Sequence, residues 1–137
     1  MIDRVEIIRK LKVYFAGRND VAVAYLFGSV ARSAFHPLSD VDIAVYPRDN
    51  AYVNSLEYRS DMIADMMELL KINPIDVVLL NEASPLLAHR VMRDGVVVDC
   101  KDQSLRVSFE VRALRQYIDT KHLRDIQQHY LKKRVQR

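Results

Sequence analysis

Seven consecutive apolar residues, Val21-Ala22-Val23-Ala24-Tyr25-Leu26-Phe27, run directly into Gly28-Ser29, and ten residues later the chain reads Asp40-Val41-Asp42-Ile43. An unbroken apolar run rich in strand formers and closed by glycine predicts a central strand of a sheet. The second segment, Asp40 to Tyr46, alternates: Val41, Ile43 and Val45 share one side, and Asp40, Asp42 and Ala44 the other. That pattern predicts a strand with one buried face. Between the two strands, Gly28 lets the backbone turn with no side chain in the way. A strand end that feeds a helix start presents free N–H groups, which form a natural phosphate cradle. Ser29 adds a hydroxyl able to donate to a phosphate oxygen.

The flanking segments alternate between the two periodicities. Val5, Ile8, Leu11 and Phe15 lie at helical spacing within residues 2–16. Residues 29–35 suit a short helix, and Pro37 turns the following segment into a loop. Leu56, Ile63, Met66, Met67 and Leu70 predict an amphipathic helix over 52–71. Pro74-Ile75-Asp76-Val77-Val78-Leu79-Leu80 reads as a third strand, and Val96 to Cys100 as a short fourth. Ser84-Pro85 and Gly95 are start and stop signals for a helix between those two strands. From about 103 to 133 the chain has no glycine or proline, and Phe109, Ala113, Tyr117, Leu123, Ile126 and Tyr130 mark an apolar stripe. The expected class is α/β: a small mixed sheet of about four strands flanked by helices, in one domain over residues 1–137.

Charge is unevenly spread. Residues 1–100 hold 11 Lys/Arg against 14 Asp/Glu, whereas residues 101–137 hold 10 against 4. The C-terminal helix is therefore basic, a surface that either meets an acidic partner or faces water. Its terminal Lys132-Lys133-Arg134 cluster lacks interleaved aromatics and matches no nucleic-acid module, so direct nucleic-acid binding is not expected. No apolar run is long enough to span a bilayer, and the N-terminus lacks a signal-peptide core. The lone cysteine, Cys100, fits a reducing cytoplasm and reads as a small buried hydrophobe.

The acidic strand carries the chemistry. Asp40 and Asp42 leave the same face, roughly 7 Å apart at Cα. Two converging carboxylates repel unless a cation lies between them, and a hard divalent ion with oxygen ligands, Mg²⁺ above all, suits them. A pair of such ions bridging the carboxylates and a triphosphate would polarise the attacking oxygen and offset charge on leaving pyrophosphate. Asp76, an acid at the start of an apolar strand, is the candidate third carboxylate, and a buried charge there needs a partner. Arg32 either reaches the triphosphate or is a solvated helix arginine.

These residues carry a resemblance. Gly28 to Val45, with its Gly-Ser, spacer and Asp-x-Asp, resembles the active-site signature of the DNA polymerase β-like nucleotidyltransferase superfamily, and the chain looks like its minimal, MntA-type members. The resemblance covers about residues 20–100. Arg32 is followed by Ser33, where family members often have glycine. It implies a palm-like fold, Asp40, Asp42 and Asp76 as catalytic metal ligands, and Gly28, Ser29 and Arg32 as the nucleotide-binding set. It also implies ATP as substrate and a partner HEPN-domain ribonuclease toxin, which such an antitoxin neutralises by adding AMP to a tyrosine. A non-catalytic nucleotide-binding antitoxin and a transferase acting on a small molecule are the alternatives. The acidic pair favours catalysis, since a binding module need not keep both carboxylates.

Overall fold

A computed structural model describes residues 3–28, 41–72 and 74–135. Four helices and four strands follow one another: α1 (Arg4–Ala16), β1 (Val21–Phe27), β2 (Val41–Pro47), α2 (Ser55–Leu70), β3 (Ile75–Leu79), α3 (Pro85–Asp94), β4 (Val96–Cys100) and α4 (Gln103–Val135). The strands form one sheet in the order β3-β2-β1-β4. β1 runs antiparallel to both β2 and β4, and β2 and β3 are parallel, so the sheet is mixed. The α/β class and the four-strand mixed sheet expected from the sequence are both found. The short helix expected over 29–35 lies outside the described residues.

Helix ends follow local chemistry. Asp3 caps α1 by accepting from the Glu6 N–H at 2.9 Å, Asn54 caps α2 through Glu57 at 3.1 Å, and Ser84 caps α3 through Leu87 at 3.2 Å. Pro85 at the first turn of α3 costs no hydrogen bond there. α2 is the crossover that lets β2 and β3 run parallel, which a short turn cannot do.

Both faces of the sheet are covered. α1 and α2 bury Ile7, Leu11, Phe15, Met62, Met66 and Leu70 against Ile43, Val45 and Val77. α3 and the first half of α4 bury Ala88, Val91, Phe109 and Ala113 against Val23, Tyr25 and Ala44. β1 is central and wholly buried, as its unbroken apolar run predicts. Tyr25 donates to Glu110 (3.0 Å) and Arg112 donates to Tyr46 (3.0 Å), which pins α4 to β1 and β2.

Several expected core positions are corrected. On α1 the buried stripe is Ile7-Leu11-Phe15, and Val5 is 73% exposed, because the apolar positions admit two helical stripes and only one meets the sheet. On α2, Leu56 is 69% exposed and Met67 is exposed, while Met62 joins Met66 and Leu70 in the core. β2 has two buried faces rather than one beyond Asp42, since α3 and α4 cover Ala44. The stripe of α4 packs at Phe109 and Ala113, but Leu123, Ile126 and Tyr130 are exposed where the helix runs past the sheet. Cys100 is only part-buried and donates to Gln103 at 3.4 Å. Among the described residues no helix is long and apolar enough to cross a membrane.

Candidate active site

The strand directions bring the signature to one end of the sheet. β1 ends there at Phe27, and β2 and β3 begin there. Phe27 pairs with Asp42 across β1–β2, and Asp42 pairs with Asp76 across β2–β3. Register-matched residues on adjacent strands project to the same face, with backbones roughly 4.8 Å apart. Two carboxylates thirty-four residues apart in sequence are thus set side by side.

Gly28 is shaped by this arrangement. Its φ is +80°, the left-handed region that favours glycine. A Cβ placed on it would overlap the Asp42 carboxylate oxygen and lie 3.3 Å from Asp42 Cγ. The backbone conformation strains any side chain at this position, and a Cβ would also push the Asp42 carboxylate from its place. The absent side chain gives the Asp42 carboxylate its place beside the end of β1.

Asp76 is not a buried, bare charge: its side chain is 49% exposed and it has a partner. Arg59, from the second turn of α2, reaches round the open edge of β3 and donates Nη2 to Asp76 Oδ1 at 2.5 Å. Its Nε donates to the Val77 carbonyl at 2.6 Å, and the Val77 N–H donates back to Asp76 Oδ1 at 3.0 Å. Arg59 thus fixes both the rotamer of Asp76 and the backbone beside it. Sequence patterning does not single out Arg59, which looks like any polar position of an amphipathic helix. The only signal is indirect, in that an acid opening an apolar strand needs a partner.

Of the residues singled out from the sequence, Gly28, Asp42 and Asp76 come together; Ser29, Arg32 and Asp40 lie outside the described residues. Among the described residues no group of three or more His, Cys, Asp or Glu side chains is placed to hold a metal ion. The Asp42–Asp76 pair supplies oxygen donors alone, the donor chemistry that suits Mg²⁺.

A mixed sheet in which a positive-φ glycine closes the central strand, beside matched aspartates on two parallel strands, defines a polymerase β-like nucleotidyltransferase fold. The chain belongs to the family described as polymerase beta nucleotidyltransferase, whose model matches residues 9–104. Within it, the chain is similar to the protein adenylyltransferase MntA of Aphanizomenon flos-aquae (strain 2012/KM1/D3), with 40% identity over 79 residues. That match covers 53% of this chain and about half, 53%, of the relative's length. The fold is similar to a chain in a crystal structure of a toxin-antitoxin with AMP-PNP, at TM-score 0.71 and 25% identity, covering 92% of this chain and 98% of that one. It is also similar to a chain in the complex of tri-AMPylated Shewanella oneidensis HEPN toxin with MNT antitoxin, at TM-score 0.66 and 23% identity, covering 93% and 97%.

Proposed function

We propose that this chain is a Mg²⁺-dependent protein adenylyltransferase that acts as an antitoxin, transferring AMP from ATP to a tyrosine of a HEPN-domain ribonuclease toxin in the cytoplasm. The observation that carries the reading is the side-by-side placement of Asp42 and Asp76 beside a positive-φ glycine whose missing side chain gives the Asp42 carboxylate its place. The family match, the likeness to MntA and the toxin-antitoxin neighbour with AMP-PNP support it.

In this reading Gly28 and Ser29 receive the triphosphate through backbone N–H groups and a hydroxyl, and Arg32 donates to it. Asp40, Asp42 and Asp76 would hold Mg²⁺, which would supply charge compensation for the triphosphate and lower the cost of forming the attacking phenolate. The phenolic oxygen of the acceptor forms a bond to the α-phosphorus as the α–β phosphoanhydride bond breaks. Pyrophosphate leaves, and the phenolic proton passes to the Asp76 carboxylate and on to water. Arg59 holds Asp76 by Oδ1 in the rotamer this requires.

The test uses ATP labelled at either the α- or the γ-phosphate, incubated with Mg²⁺, this chain and its HEPN toxin. Label retained on the toxin from α- but not γ-labelled ATP is expected. Label from the γ position would make the reaction phosphoryl transfer and overturn the reading.

A further inference from the structure

The sheet has a direction across its strands as well as along them. Gly28 lies at the end of β1, Asp42 on β2 and Asp76 on β3, so the three stand in a row across one end of the sheet. If the triphosphate enters at Gly28, in-line displacement sends the leaving pyrophosphate to the β1 side and brings the nucleophile from the β3 side. On that side a groove of about 440 Å³ opens along the outer edge of β3, between the first turns of α2 and α3. It begins at Asp76 and Arg59, continues over Leu56, Val78 and Leu87, and closes at Glu82.

Part of the outer edge of β3 is taken up by its own protein. Val41 donates to the Pro74 carbonyl and Leu80 donates to the Val45 carbonyl, so even-numbered residues of this segment face β2 and odd-numbered ones face outward. Of the outward groups, the Val77 carbonyl accepts from Arg59 and its N–H donates to Asp76, while the Leu79 carbonyl accepts from the Glu82 N–H at 3.1 Å. An edge blunted in this way resists addition of another strand. The groove is therefore built to receive side chains. Its floor carries an exposed leucine, Leu56, that covers no core of its own, and its charges are two carboxylates against one guanidinium.

Resting on the reading above, we infer that this groove is the acceptor subsite: it seats an extended segment of the protein substrate with its reacting hydroxyl at Asp76. An apolar side chain of the segment lies on Leu56 and Leu87, and a basic one lies toward Glu82. The nucleotide and the acceptor then occupy opposite sides of Asp42, as in-line transfer demands.

Leu56→Glu tests this, because Leu56 is exposed and its substitution leaves the core untouched. Steady-state transfer is measured with the HEPN toxin as varied substrate, alongside calorimetric titration of AMP-PNP with Mg²⁺. The expected result is a KM for the toxin raised about tenfold, the equivalent of about 1.4 kcal/mol, with AMP-PNP affinity unchanged. Leu56→Met is expected to restore the original KM. An unchanged KM in Leu56→Glu overturns the subsite while leaving the function standing. Failure of the unsubstituted chain to transfer AMP overturns the function, and the subsite with it.

Discussion

Where β1 begins and β2 finishes, Arg18 grips Asp20 with two hydrogen bonds of 2.9 and 2.8 Å, and Tyr58 donates to the same carboxylate at 2.5 Å. Tyr14 donates to Asp65 at 2.7 Å, and the Arg18 guanidinium lies over the Tyr14 and Tyr58 rings at 5.5 and 5.8 Å. At the opposite end of the same strands, Asp42 and Asp76 are set against each other, with Arg59 reaching Asp76 from around the edge. One end gathers donors around each acid and ties α1, α2 and β1 together. The other places acid beside acid, with Arg59 on one of them, and concentrates carboxylate oxygens of the kind a hard cation takes. The same side-chain type thus serves cohesion at one end and chemistry at the other, and neighbouring residues decide which.

The contrast predicts where substitutions will be felt. Gly28→Val should have the largest effect: it clashes with Asp42, forces a β-branched residue to φ +80°, and closes the proposed cradle. Transfer should fall on the order of 100-fold or more, as when a positioned oxyanion donor is removed, with a stability loss of about 1–3 kcal/mol. Initial rates and urea melts measure both. A variant that keeps its nucleotide affinity would break the assignment of the two ends.

At the cohesive end the effect is on stability alone. The hydrogen bond from Arg18 is the largest cause that lowers the Asp20 pKa from 3.8 to about 2, helped by Tyr58 and opposed by burial. A depressed carboxylate stabilises the fold above its unfolded value and loses that contribution as pH falls through its folded value. Between about pH 4 and pH 2, therefore, about 2 kcal/mol should disappear from the unfolding free energy. Arg18→Ala should flatten this acid limb and lower neutral-pH stability by about 2 kcal/mol, with AMP-PNP affinity unchanged. Chemical denaturation across that pH window separates the outcomes; an unaltered acid limb in Arg18→Ala would show that the clamp is not what depresses Asp20.

The smallest effect should come from the distal part of α4. Beyond Thr120 every described side chain is exposed except Arg124, which lies over the Tyr117 ring at 5.0 Å. Removing residues 121–137 should shift the melting temperature by no more than about 2 °C, consistent with a loss below about 0.5 kcal/mol for surface changes. A drop comparable to that of Arg18→Ala would mean the distal helix packs on something in solution.

How much of this was legible in the sequence varies with the range of the interactions. β1 was readable from its unbroken apolar run, because a strand covered on both faces leaves no room for a polar residue. The caps at Ser84 and the stop at Gly95 were readable because they satisfy their own backbone locally. Asp42 was readable as half of an Asp-x-Asp on the polar face of an alternating strand and Asp76 as an acid opening an apolar one, although only β2–β3 register makes them neighbours. Arg59 was not readable, since its role depends on α2 crossing one face while its side chain rounds the edge to the other. The buried stripes of α1 and α2 were right at Leu11, Phe15, Met66 and Leu70 and misplaced at Val5, Leu56 and Met67 for a related reason: each helix offers more than one apolar stripe, and the sheet it meets selects one. On α4 the apolar stripe outlasts the surface it packs on, a length that periodicity alone does not reveal.

The most direct measurement is the intact mass of the HEPN toxin after incubation with ATP, Mg²⁺ and either the unsubstituted chain or Asp42→Asn. The unsubstituted chain should add one or more AMP units to the toxin. Asp42→Asn should add essentially none on the same timescale while keeping a cooperative melting transition, because the substitution removes a carboxylate from beside Asp76. Toxin modified equally by both proteins would contradict the account, since it would place the chemistry somewhere other than the Asp42–Asp76 end of the sheet.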